Sequence, residues 1–136
     1  LCLDTDFVKS ELSQIPETAL SEDSASPENI YQRGILYFTG TFVAQDRQKA
    51  FRLFQGAARA GNVKAMYMVA DCLASGLGVT EDHEKAYTYY LKAAEHGFTR
   101  AMKTLGFMYL EGYGVEPNQE KSDFWYAKFK EATRVG

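Results

Sequence analysis

Residues 65 to 100 and 101 to 136 are one 36-residue unit written twice, and residues 28 to 64 hold a third, more diverged copy. The second and third copies agree without a gap at ten positions: Ala65/Ala101, Met66/Met102, Gly76/Gly112, Gly78/Gly114, Val79/Val115, Glu84/Glu120, Lys85/Lys121, Tyr90/Tyr126, Lys92/Lys128 and Glu95/Glu131. Composition alone would give about two or three such matches. The first copy joins through Tyr31/Tyr67, Gly40/Gly76, Val43/Val79, Asp46/Asp82, Lys49/Lys85, Ala57/Ala93 and Gly61/Gly97. A period of this length predicts stacked supersecondary units, an architecture that presents binding surfaces more readily than reaction centres.

Within each unit the punctuation is that of two helices. Ser26-Pro27-Glu28 opens the array with a capping serine, a proline where its missing N–H costs nothing, and an acid in the first turn. Helix A is predicted over about Pro27 to Thr39, Lys64 to Ser75 and Arg100 to Glu111, ended by Gly40, Gly76 and Gly112. Helix B opens at Asp46, Asp82 and Asn118, all good N-caps, and closes at Gly61 and Gly97 in the first two units. Gly34, Ala70 and Gly106 share one position of helix A, and Ala57-Ala58 and Ala93-Ala94 share one in helix B, where small residues let helices approach closely.

Ahead of the array, Leu3, Phe7, Val8, Leu12 and Ile15 recur at helical spacing. Residues 1 to 15 are therefore predicted to form an amphipathic helix, capped by Asp4 or Asp6, that folds back on the array as a cap or as an occupant of its groove. Residues 16 to 26, rich in Ser, Glu and Asp, read as a linker whose Ser21, Ser24 and Ser26 are accessible to phosphorylation.

The third unit carries the pattern Ala-x3-Leu-Gly-x-Met-Tyr-x2-Gly-x-Gly-Val, then Asn-x2-Lys and Trp-Tyr, at Ala101, Leu105-Gly106, Met108-Tyr109, Gly112, Gly114-Val115, Asn118, Lys121 and Trp125-Tyr126. This resembles the Sel-1-like repeat, a longer relative of the tetratricopeptide repeat, over residues 28 to 136 as three units (28–64, 65–100, 101–136). The resemblance implies an all-α superhelix of helix-turn-helix units, acting as an adaptor or scaffold. The first unit departs from the pattern at Phe42, where the others have glycine. The third departs at Phe129-Lys130, where the others have Ala-Ala, and a lysine beside a bulky ring there would obstruct a following helix. Some relatives carry a disulfide in each repeat; Cys72 has no partner in its own, and with only Cys2 besides, a reducing compartment is favoured.

In the superhelix so implied, the side of helix A opposite its core stripe lines a concave groove. Tyr31, Ile35, Phe38, Tyr67, Phe107 and Leu110 lie on that side, interleaved with Glu28, Lys64, Asp71, Arg100, Lys103 and Glu111. Rings set among charges have the composition of a protein or peptide contact surface. Tyr31, Tyr67 and Lys103 fall at one position of successive units and, with Phe107, are expected to carry much of the binding. Leu105 and Tyr126 are assigned to the core.

The remaining chemistry is sparse. Glu81-Asp82-His83 are helix-start residues without a second ligand on the same face, His96 suits a helix C-terminus, and Cys72 lies on the core stripe. The Gly-x-Gly turns follow no strand, so they do not make phosphate loops. The first 27 residues hold six acids against one lysine, and the rest fourteen Lys/Arg against twelve Asp/Glu, too even a balance for a nucleic-acid footprint. No apolar run suits a membrane span. The sequence thus predicts a non-enzymatic protein-binding module needing no cofactor or metal. Because the chain begins with Leu1 rather than Met, the alternative is a regulatory or substrate-docking region of a larger enzyme, such as an atypical kinase. Hydrolase activity, attached to a few disulfide-bridged relatives, lacks both the cysteines and a nucleophile-base pair here.

Overall fold

Every helix pair in the array is closed by the same hydrogen bond, from the N–H of the helix B cap to a carbonyl near the end of helix A: Asp46 to Tyr37 at 2.9 Å, Asp82 to Leu73 at 2.8 Å and Asn118 to Tyr109 at 2.8 Å. The computed structural model describes residues 3–21 and 26–134. Among these the chain forms seven α-helices, one 3₁₀ helix and no strand: α1 (Thr5–Leu12), the 3₁₀ helix (Glu17–Leu20), α2 (Pro27–Thr39), α3 (Arg47–Arg59), α4 (Val63–Ser75), α5 (His83–Glu95), α6 (Thr99–Glu111) and α7 (Gln119–Ala132). Helices α2, α4 and α6 are the A helices and α3, α5 and α7 the B helices, stacked as a solenoid.

The capping residues act as their chemistry dictates. Asp46, Asp82 and Asn118 accept from the backbone N–H three residues on, at 3.0, 3.1 and 3.0 Å, and Ser26 and Asn62 do the same for α2 and α4. Each A helix ends on a left-handed glycine. Between A and B helices, a ring meets a small residue: a side chain on Gly34 would strike the Phe54 ring at 2.6 Å, and one on Gly106 the Tyr126 ring at 2.8 Å.

Between repeats the contact is backbone on backbone. A Cβ at Gly78 would lie 2.2 Å from the carbonyl oxygen of Arg47, and one at Gly114 2.1 Å from that of His83, so each glycine loop sits directly on the first turn of the preceding B helix. Phe42 takes the same left-handed conformation, φ 66°, but among the described residues no B helix precedes it, and its ring is exposed, which leaves room for a side chain there.

Two sequence expectations need correcting. The 16–26 stretch is not a plain linker, because Glu17–Leu20 winds into a 3₁₀ turn that buries Ala19, whose carbonyl accepts from Asn29 Nδ2 at 3.3 Å. Ala19, an apolar residue in polar company, supplies the anchor. Tyr126 is only half-buried, unlike its counterparts Phe54 and Tyr90, because among the described residues no helix follows α7 to cover its outer side. Ser26 serves as the α2 cap, while Cys2 and Ser24 lie outside the described residues.

Candidate functional site: the groove of the A helices

Helix α1 lies in the groove. It starts at Asp4, whose side chain caps it by accepting from the Phe7 N–H at 3.1 Å, and it buries Phe7, Val8 and Glu11. The helix is two turns long, shorter than the 1–15 span expected, and its single apolar face is the one turned to the A helices.

Glu11 meets the first two repeats. Its Oε1 accepts from the Tyr31 hydroxyl at 2.7 Å and lies 3.0 Å from Lys64 Nζ. Asp4 meets the second and third: its Oδ2 accepts from the Tyr67 hydroxyl at 2.7 Å and from Arg100 Nη1 at 2.7 Å. Between these acids Phe7 stands edge-on to Tyr67, with ring centroids 5.3 Å apart, and edge-on to Phe98 at 5.6 Å, under the Arg100 guanidinium. Asp71, 2% exposed, closes the end of α1 by accepting from the Asp4 N–H at 3.1 Å, while the Tyr90 hydroxyl holds its other oxygen.

Burial sets the proton affinities. Desolvation raises the Asp71 carboxyl to about 6 against the hydrogen bonds it accepts. Burial pushes Asp4 the same way, but hydrogen bonds from Tyr67, the Phe7 N–H and Arg100 outweigh it and leave Asp4 below its ordinary 3.8. Desolvation, reinforced by the carboxylates they serve, holds the Tyr31 and Tyr67 phenols far above their ordinary range, so both remain donors.

The sequence places Tyr31, Ile35, Phe38, Tyr67 and Asp71 on a face open to a partner; in the structure all five are buried. Helix α1 covers the two tyrosines and Asp71, Val8 lines a cavity of about 250 Å³ with Phe38, and the Phe54 ring packs on Phe38 from behind. Lys64 and Arg100 stay accessible while paired to α1. Lys103, Phe107, Leu110 and Glu111 are accessible on α6, Lys103 over the Phe129 ring and Phe107 stacked on Tyr113. The groove is therefore filled along the first two repeats and open along the third, where a cavity of about 470 Å³ runs from Asp4 and Arg100 past Lys103 to Phe129.

Sequence reasoning missed Phe98. It occupies the N-cap position held by Ser26 and Asn62 in the other repeats, and α6 has no side-chain cap. The available signal was the broken series Ser, Asn, Phe: a cap exchanged for a ring that packs on Tyr67 at 4.9 Å. Glu11 was missed because its partners lie 20 and 53 residues away.

The other candidates settle into structural places. His83 pairs with Glu81 at 2.6 Å, His96 Nδ1 lies 2.7 Å from the Lys92 carbonyl, and burial pushes the Cys72 thiol up to about 12. Among the described residues no three His, Cys, Asp or Glu side chains gather where a metal ion could be held, and no helix is long and apolar enough to cross a membrane.

The family model of the Sel1 repeat matches this chain three times in succession, at residues 30–62, 63–98 and 99–132. The chain belongs to the Sel1 repeat family. Proteins built of Sel1 repeats generally serve as protein–protein interaction scaffolds and are typically not enzymes. Solved structures agree on the fold. A protective antigen of uropathogenic Escherichia coli strains displaying an SLR fold is 28% identical, with a TM-score of 0.77 over 79% of this chain. This chain spans 23% of that antigen's length. A Sel1 repeat protein from Oxalobacter formigenes is 21% identical, with a TM-score of 0.75 over 93% of this chain and 88% of its own. Helicobacter pylori cysteine rich protein B is 18% identical, with a TM-score of 0.65 over 96% and 88%. No curated protein sequence matches.

Proposed function

We propose that this Sel1 repeat chain is a non-enzymatic interaction module that holds a helix of a partner protein in the groove of α2, α4 and α6. The observation that supports this is the seat of α1. A two-turn helix is held there through one buried ring and two carboxylates, each met by a tyrosine and a cation, while the third repeat leaves Lys103, Phe107, Leu110 and Glu111 accessible beside it. A buried ring flanked by carboxylates that buried tyrosines hold, with accessible cations at the rim, has the anatomy of a binding hot spot. The partner contacts would comprise Lys64, Arg100, Lys103 and Phe107 first, and Tyr31, Ile35, Phe38, Tyr67 and Asp71 once α1 is displaced.

A photo-crosslinking amino acid at position 107, compared with one at position 85 on a B helix, tests this in the native cell. Crosslinks to a second protein from position 107 alone are expected. Crosslinks from position 85 alone would move the contact surface to the convex side.

A further inference from the structure

Asp4, the cap of α1, and Glu11, in its last turn, are seven residues apart, and the groups that meet them recur once per repeat. Tyr31 and Tyr67 are the same position in successive units, as are Lys64 and Arg100. Glu11 is taken by the tyrosine of α2 and the cation of α4; Asp4 by the tyrosine of α4 and the cation of α6. Seven residues of α-helix advance about 10.5 Å, and that advance carries α1 from the Tyr67 and Arg100 pair to the Tyr31 and Lys64 pair, so one heptad of ligand spans one repeat of receptor. Phe7, between the acids, enters the ring pair of Tyr67 and Phe98.

Resting on the groove-binding reading above, we infer that this groove selects partner helices by register: it takes a helix carrying Asp-x2-Phe-x3-Glu, seated in place of α1. Each element of that pattern answers a buried group. Tyr31 and Tyr67 are 0% and 3% exposed and need acceptors, since a buried donor left unpaired costs about 1–3 kcal/mol. Lys64 and Arg100 make those acceptors carboxylates rather than amides. Asp71 fixes direction, because it accepts the free N–H at the start of the helix, so the aspartate end points to the third repeat. An insertion between the acids turns the second one by about 100° around the helix, out of reach of its tyrosine. Helix α1 is the resident form of this ligand, held by its tether at an effective concentration in the millimolar range, so a partner in trans competes with it.

The test uses the full chain with Phe7→Ala, which loosens α1 and leaves the repeats intact; Val8→Ala takes its place should that chain lose its helical circular dichroism. Three fluorescein-labelled peptides are titrated by polarisation: residues 3 to 16 as they stand, the same peptide with alanine inserted after Val8, and the same peptide with Asp4→Asn and Glu11→Gln. The first is expected to bind, and the other two at least about tenfold more weakly. Tyr31→Phe with Lys64→Ala in the chain should erase the penalty of the insertion. Equal binding of the parent and inserted peptides overturns the register inference and leaves groove binding standing. No binding of any peptide by a folded chain overturns both. Dimerisation of the unaltered chain by exchange of α1, seen in sedimentation, assigns the seat to a second copy and overturns the separate partner.

Discussion

A single buried carboxylate links the repeat core to the helix in the groove. Asp71 is held between the Tyr90 hydroxyl and the Asp4 N–H, and desolvation keeps its pKa near 6, above its ordinary 3.8. Between those values the folded chain keeps a proton that the unfolded chain has released, so stability falls as pH rises through this window. Asp4, whose pKa is depressed, acts in the opposite sense and lower down, contributing stability that is lost as pH falls below 3.8. Urea unfolding at about pH 4 and about pH 6.5 should therefore show a loss on the order of 2 kcal/mol in the parent chain that is absent in Asp71→Asn. The repeat glycines give a second contrast at this scale. Gly114→Ala puts a Cβ against the His83 carbonyl in a left-handed backbone and should cost about 2 kcal/mol or more, whereas Phe42→Gly relieves the same backbone conformation where nothing abuts and should gain up to about 1 kcal/mol.

Among the elements, α1 differs from the rest because its stability comes wholly from what it lies on. An isolated two-turn helix does not persist in water. Phe7→Ala should therefore leave α2 to α7 folded while the amides of α1 exchange at rates near those of open chain, a separation that hydrogen exchange reads directly. For α6, Leu105→Ala should cost about 2–5 kcal/mol, and the half-buried Phe107→Ala less than about 1 kcal/mol. Tyr67 now belongs with Leu105, since its ring is buried among Phe7, Tyr90 and Phe98. These assignments show what the sequence could carry. The A and B helices were legible because their caps and end glycines are local signals repeated at a fixed period. The shared position of Tyr31 and Tyr67 was legible for the same reason. That Glu11 and Asp4 would reach them was not, because a heptad on one element and a repeat on another match only after both are placed in space.

At the scale of the molecule, the third repeat differs from the first two in what it offers a neighbour. In the first two repeats Ala57, Ala58, Ala93 and Ala94 are buried on the B helices that pack against the next A helix. Their third-repeat counterparts are Phe129, half-buried beneath Lys103, and the exposed Lys130, side chains large enough to crowd a helix seated as in the first two repeats. A fourth repeat fused after residue 134 should therefore unfold as a separate transition, and join the cooperative unit only once Phe129→Ala and Lys130→Ala clear its seat. The seating of α1 has a mechanical side as well. Asp4 and Glu11 each tie a phenol on one A helix to a cation on the next, so α1 splints both joints between units. Loss of these cross-ties should leave the same three repeats freer to bend at both joints. A helix seated in place of α1 would restore the same cross-ties, so small-angle X-ray scattering should show a wider spread of curvature for Phe7→Ala alone than for the chain with its groove filled.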